Sequence, residues 1–226
     1  MLHHLTTIRT RIADACRRSD RDPASVELVA VSKMQPLDAV RALYDCGHRS
    51  YGENYVQDLL PKAEALPDDI RWHFIGHLQR NKVKFVLPHV AMIHGVDSLR
   101  LATEIDRQAS AAGRSMEILL QVNVSGEESK YGVDPDEAVA LAREIDALSA
   151  VSLRGLMAIA AEFDDPEDVR PQFRHLREIR DRCAAEIGRP LPHLSMGMSG
   201  DFEVAIEEGA TLVRVGTALF GERAAV

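Results

Sequence analysis

The sequence predicts a single eight-stranded parallel α/β barrel, a (β/α)8 fold, and three observations carry that reading. Eight short apolar segments alternate with helix-like segments, all at crossover spacing. The first of them, Val26-Glu27-Leu28-Val29-Ala30-Val31-Ser32-Lys33, is a β-branched run of the kind that a strand buried on both faces shows. No glycine-rich dinucleotide turn follows it, which counts against the open doubly wound sheet. At 226 residues the chain is long enough to bury one core of barrel size.

The elements follow in order. Residues 2–19 form a helix with Leu5, Ile8, Ile12 and Ala15 on one face. It precedes the first strand, so residues 1–20 are expected to pack on the barrel as an extra N-terminal helix. The strand 26–33 ends on Lys33, and Pro36 opens a helix that Gly47 stops. A short strand at 49–51 leads into Gly52-Glu53-Asn54 and a helix to about residue 65. The third strand, 71–77, carries Trp72-His73-Phe74-Ile75-Gly76-His77, and a helix starts within Leu78-Gln79-Arg80-Asn81-Lys82. A fourth strand at 90–96 precedes a helix that Asp97-Ser98 is expected to cap and that ends near Gly113. The fifth strand, 116–124, leads into a loop at 125–132 and a helix at 135–148. The sixth, 151–159, precedes a long helix starting near Pro166. The seventh, 193–198, is followed by a short helix at 202–208 that Gly209 ends, and the eighth is 212–215. There is no linker, repeat or low-complexity segment, and the chain stops ten residues after Gly216, so one domain spanning 1–226 is expected.

Composition narrows the partners. Lys and Arg number 27 against 35 Asp and Glu, a net charge of −8. Bulk electrostatics therefore offers no attraction to nucleic acid or an anionic membrane surface. Local basic clusters such as Arg9/Arg11 and Arg17-Arg18 read as a solvated helix face. Cys16, Cys46 and Cys183 are scattered in helix-like contexts without metal spacing, as reduced thiols in a cytoplasmic protein would be. No apolar run has membrane length, and the N-terminus lacks the hydrophobic segment of a signal peptide.

Function in such barrels collects at the C-terminal ends of the strands. A lysine at the end of a buried strand either snorkels to water or is used. Desolvation favours its neutral amine, the form that condenses with an aldehyde. Ser199 and Gly200 stand just before the helix at 202–208, and Gly216-Thr217 offers a second turn with backbone donors and a hydroxyl. Together they suggest an anion site between the seventh and eighth strand loops, the alternative being ordinary capping by Ser199 or Asp201. Arg214 lies in Leu212-Val213-Arg214-Val215, and strand alternation puts it on the same face as Gly216. A guanidinium facing a barrel interior needs an acceptor, either a barrel carboxylate or a ligand presenting an anion or a ring nitrogen. An aldehyde at Lys33, a phosphate at Ser199, Gly216 and Thr217, and a ring nitrogen near Arg214 are jointly met by pyridoxal 5′-phosphate (PLP).

Six segments carry a family resemblance: Val31-Ser32-Lys33, Gly52-Glu53-Asn54-Tyr55-Val56-Gln57, the block from Trp72 to Lys82, Gly155-Leu156-Met157, Leu194-Ser195-Met196-Gly197-Met198-Ser199 and Val213-Arg214-Val215-Gly216-Thr217. They resemble the pyridoxal phosphate homeostasis protein family, a single TIM barrel similar to the N-terminal domain of alanine racemase, and the likeness covers nearly the whole chain. The resemblance implies that Lys33 is the Schiff-base lysine and that Ser199, Gly216 and Thr217 hold the phosphate. It further implies that Arg214 faces the pyridine nitrogen, that Asn54 lies beside the cofactor, and that Ser195, Met198 and His77 line the pocket. Many relatives carry a second lysine two residues after the first, and here that position is Gln35. The lysine often present after the fifth strand is Lys130.

The implied function is reversible PLP binding on Lys33, buffering of the free aldehyde and delivery to apo-enzymes by a cytoplasmic monomer. The alternative is a PLP-dependent amino-acid racemase of low activity. An arginine donates to the ring nitrogen without protonating it, which leaves a weak electron sink. Racemisation needs a proton donor on each face of the substrate carbon. In two-domain racemases the second comes from the partner's other domain, and only Tyr51, Tyr55 and Tyr131 offer a substitute here. His73 and His77 fall on one strand face without a third ligand, so no metal site is expected. Glu53 reads as a helix cap.

Overall fold

The computed structural model of the protein describes residues 1–127 and 130–221. Glu128 and Ser129 of the expected loop at 125–132, and residues 222–226 of the expected domain, lie outside the described residues. Eight parallel strands close into a barrel in chain order: β1 (Glu27–Val31), β2 (Ser50–Glu53), β3 (Arg71–Phe74), β4 (Met92–Val96), β5 (Met116–Gln121), β6 (Val151–Met157), β7 (His193–Ser195) and β8 (Leu212–Val215). Around them run α1 (Leu2–Arg18), α2 (Leu37–Asp45), α3 (Val56–Ala65), α4 (Val83–Val86), α5 (Leu99–Ala111), α6 (Ala138–Asp146), α7 (Arg170–Ile187), α8 (Phe202–Glu207) and α9 (Thr217–Phe220). The barrel that the alternation predicts is the one observed.

Strand parity divides the apolar residues into two cores. The outward-facing set, including Leu28, Ala30, Tyr51, Trp72 and Phe74, packs with the helices into one large cluster. Inside the barrel a much smaller cluster holds Val29, Met92, Leu119, Met157 and Leu212. It is small because other interior positions are polar: His73, His94, Ser195 and Arg214 are all buried. The register aligns Val29 with Arg214 and His73 with Met92, which places these polar groups in the apolar cluster's own layers.

Several elements are shorter than the apolar runs suggest. β1 stops at Val31, so Lys33 sits two residues past the strand rather than on its last position. β2 takes in Gly52 and Glu53, and β3 ends at Phe74, leaving His77 in the following turn. The helix after Gln79 is a 3-10 turn at Arg80–Lys82 joined to the four-residue α4. Ser98 stands at the N-cap of α5, but its side chain makes no capping bond. α9 was not foreseen, because a four-residue turn is too short for helical periodicity.

α1 buries Leu5, Ile8, Ile12, Ala15 and Cys16. Arg11 donates to Glu203 of α8 (Nη2–Oε2 2.7 Å), and Arg18 pairs with Glu207 at 2.7 Å. Burial alone would raise the Glu27 carboxyl, but the polar His73 and Ser50 side chains beside it, with the nearby Arg71 charge, outweigh burial and hold it at about 2. Against 4.5 in the unfolded chain, that carboxylate stabilises the fold fully above about pH 4.5 and loses its contribution as pH falls through about 2. The side chain is 30 % exposed, so solvent screens part of the effect. Glu27→Gln should therefore be less stable by roughly 2 kcal/mol at pH 7, with the gap closing as the pH falls from 4.5 toward 2. Urea unfolding across that range checks it, and a gap that ignores pH would count against the assignment.

Candidate functional site

A cavity of about 610 Å³ opens at the C-terminal rim of the barrel, and Lys33, Asn54, Met198, Ser199, Arg214, Gly216 and Thr217 all line it. Two ends of the chain thus meet in one space, because β1 and β8 are neighbours in the closed sheet.

The backbone on either side of Lys33 is fixed. The Ser32 amide continues the ladder to the Gly52 carbonyl (3.0 Å), while its hydroxyl donates to Glu53 Oε1 (2.6 Å). Lys62 Nζ, from α3, donates both to the Ser32 carbonyl and to Glu53 Oε1, at 2.6 Å each. On the other side the Met34 amide donates to Asp58 Oδ2 (3.1 Å), and Gln35 N–H donates to the Ser32 carbonyl (3.0 Å). Met34 itself is held at φ +60°, a left-handed conformation that a side-chain-bearing residue adopts only under constraint. The half-buried Lys33 therefore leaves a turn that is pinned on both flanks.

Arg214 is buried on the inner face of β8. Its Nη1 donates to Ser195 Oγ (2.7 Å) and its Nη2 to the Ala158 carbonyl (2.9 Å). No ion pair among the described residues includes it, so the buried carboxylate partner that the sequence left open is not what holds it. Burial lowers its pKa to about 10, with the charge of Asp201 opposing. It remains a cation at neutral pH.

The expected anion site is built differently from the sequence reading. Ser199 Oγ accepts from the amides of Gly216 (3.3 Å) and Ala218 (3.4 Å), at the start of α9. It does not cap α8, and Asp201 Oδ1 accepts from the Met198 amide (2.6 Å) instead of capping there. Gly197 makes this loop feasible: it has φ +89°, and a Cβ would lie 2.6 Å from that of Ala205. Gly76 serves Asn54 in the same way, since a Cβ there would strike the Asn54 carbonyl. Asn54 Oδ1 is buried without a hydrogen-bond partner.

Two of the residues expected at the site do not line the cavity. Ser195 is fully buried behind Arg214, and His77 is exposed, stacked on Tyr131 with ring centroids 4.0 Å apart. His73 and His77 are thus not on one strand face: His73 lies inside the barrel and His77 outside it. Among the described residues no group of three or more His, Cys, Asp or Glu is placed to hold a metal ion. Lys130 donates to the Ala160 carbonyl (3.0 Å) and pairs with Glu127. Tyr51 is buried in the outer core with its hydroxyl on the Val40 carbonyl (3.3 Å), while Tyr55 and Tyr131 are exposed and absent from the cavity lining.

Sequence reasoning missed Lys62 and His94. Lys62 shares a helix face with Leu59, one turn earlier, and that i,i+3 spacing was the available signal. Glu53 is no helix cap but a fully buried carboxylate whose pKa burial raises, against the pull of Lys62 and Ser32.

A lysine and an arginine facing one cavity at the mouth of a parallel barrel, beside a cluster of backbone amides, define a class. The alanine racemase N-terminal domain family matches residues 4–224, and the chain is a member of it. Within that class it belongs to the pyridoxal phosphate homeostasis proteins. It is 50% identical over 220 residues to the one from Aquifex aeolicus, covering 97% of this chain and 96% of that protein. It is 43% identical over 221 residues to the one from Pseudomonas aeruginosa, covering 97% and 94%. PipY of Synechococcus elongatus, solved with PLP bound, is similar with a TM-score of 0.82 at 39% identity, covering 95% of this chain and all of that one (100%).

Lys62→Met removes the cation beside a carboxylate with no route to water. We expect a loss of about 3 kcal/mol at pH 7, part of it regained on adding Glu53→Gln. Thermal or urea unfolding of the single and double variants measures this, and equal stabilities would refute it.

Proposed function

We propose that the chain holds PLP as a Schiff base on Lys33 and serves intracellular vitamin B6 homeostasis, buffering the cofactor and delivering it to apo-enzymes without robust catalysis. The observation that carries this reading is the single cavity shared by the Lys33 amine, the Arg214 guanidinium and the Ser199–Gly216–Thr217 rim. The residues fit the group. Lys33 supplies an amine at the rim, Gly216 and Ala218 bring amides to Ser199 where a phosphate is expected, and the Asn54 oxygen is a buried acceptor without a partner. When bound, PLP contributes an aldehyde and an electron-withdrawing ring.

The remaining work falls to the chain. Lys33, half-buried at the rim, would supply the amine through which the group's aldehyde is held reversibly. Arg214, a buried cation on the cavity wall, would donate to the ring nitrogen and cannot hand over its proton. The pinned turn at 32–35 aims Lys33 and limits its wandering. Racemisation of the two-domain kind would need a tyrosine across the cavity from Lys33, and among the described residues no tyrosine lines it, which supports a carrier over a racemase. Among the described residues no helix is long and apolar enough to cross a membrane. We read the protein as a cytoplasmic monomer whose contacts with apo-enzymes are transient, with Gln35 in place of the second rim lysine.

Mixing the purified protein with PLP should give the visible band of a lysine-bound cofactor, and borohydride reduction with peptide mapping should place the adduct on Lys33. Lys33→Ala should lose the band. Ser199→Ala and Thr217→Ala should weaken binding roughly tenfold or more. An adduct on Lys62 or Lys130 would overturn the assignment. In heavy water with L-alanine, the loaded protein should show α-deuterium exchange no faster than free PLP; rapid exchange with loss of optical rotation would establish the racemase instead.

A further inference from the structure

The hydroxyl that receives Arg214 is the near end of a longer row. Ser195 Oγ lies 3.0 Å from His94 Nδ1, His94 Nε2 lies 3.0 Å from His73 Nδ1, and His73 Nε2 lies 3.1 Å from Ser50 Oγ. Glu27 Oε1 stands 3.6 Å from the same His73 nitrogen. These groups come from β8, β7, β4, β3, β2 and β1, and they cross the barrel interior from the cavity to the start of β1.

The sense of the row is set at one end. Arginine has no acceptor, so Nη1 must donate to Ser195 Oγ. The serine hydroxyl then has His94 Nδ1 as its available acceptor. A neutral His94 that accepts at Nδ1 carries its hydrogen on Nε2 and donates it to His73 Nδ1. His73 in turn donates from Nε2 toward Ser50 and Glu27. Complete burial, reinforced by His73 and Arg214, keeps His94 neutral. Every bond from Arg214 to Ser50 then points the same way and polarises the next, and the Glu27 carboxylate stands 3.6 Å from the last imidazole as the charge at the far end.

We infer that Ser195, His94 and His73 form a one-way hydrogen-bond relay through which Glu27 acts as the remote counter-charge of Arg214. The three are positioning residues: they hold the guanidinium charged and oriented without touching the cavity. Where the proposed cofactor site is correct, on which this last step rests, they also set the hydrogen bond that the ring nitrogen receives.

The first test needs no ligand. In the unloaded wild-type protein with nitrogen-15 histidine, long-range proton–nitrogen correlation should show the His94 hydrogen on Nε2 and a bare, accepting Nδ1 on His73, assigned through His73→Asn and His94→Asn. A hydrogen on Nδ1 of His94 overturns the relay. The second test loads the protein with PLP labelled at the ring nitrogen. Ser195→Ala, His94→Asn and Glu27→Gln should each shift that resonance, by decreasing amounts, while the adduct stays on Lys33. A shift in Ser195→Ala alone would reduce the effect to a local contact and defeat the proposal. Failure of wild-type protein to take up PLP would sink the cofactor reading, and the histidine tautomers would still decide the relay.

Discussion

A guanidinium buried inside a closed barrel is largely cut off from bulk water, so protein groups must take over most of its solvation. Arg214 is in that position, and much of the interior follows from it. Its acceptors are a hydroxyl and a carbonyl rather than a carboxylate. A carboxylate in contact would quench the charge that a ligand needs. With acceptors of partial charge the guanidinium stays cationic and still has donors left for the cavity. The consequence for packing is a barrel centre with only a handful of apolar side chains, while the shell between sheet and helices carries most of the hydrophobic stabilisation.

The Lys33 side of the site is governed by the opposite face of the sheet. Ser32 and Glu53 point outward, where Lys62 of α3 meets them. One parity of β1 and β2 therefore lines the cavity while the other anchors the turn that carries Lys33. An ion pair in this place contributes less through net stability than through fixing one geometry, since desolvation offsets most of the attraction. The left-handed Met34, with its own amide and that of Gln35 both tethered, fits a segment whose shape is imposed from outside.

Much of this was legible in the sequence. Alternation of apolar runs and helices gave the barrel, and two-residue periodicity put Arg214 and Gly216 on one face, as observed. Lys33, Asn54, Met198, Ser199 and Thr217 could be gathered at the rim because strand ends in this fold converge. Their meeting in one cavity follows from closure of β1 on β8. Other features were hidden for physical reasons. His94 sits in an ordinary-looking strand, and its importance depends on what stands across the barrel. Lys62 looks like any surface lysine until α3 is docked. His77 was misplaced because apolar character continues past the point where β3 leaves the ladder. Ser195 was read as pocket lining, yet its depth behind Arg214 is decided by side-chain packing that sequence spacing does not encode.

One irregularity gives the design a particular fragility. Between Ile93 and Val96, β4 advances three residues while β5 advances two, so β4 carries a bulge around His94 and Gly95. Gly95 is pressed there against the Gly76 carbonyl, 2.5 Å from where a Cβ would lie. Deleting a single residue in this segment would restore a regular ladder and look harmless, being remote from the rim. It would also re-phase the strand, rotating the imidazole off the barrel axis and leaving the cation at the far wall to be neutralised by some other means. Length, as much as residue identity, is under constraint in that strand.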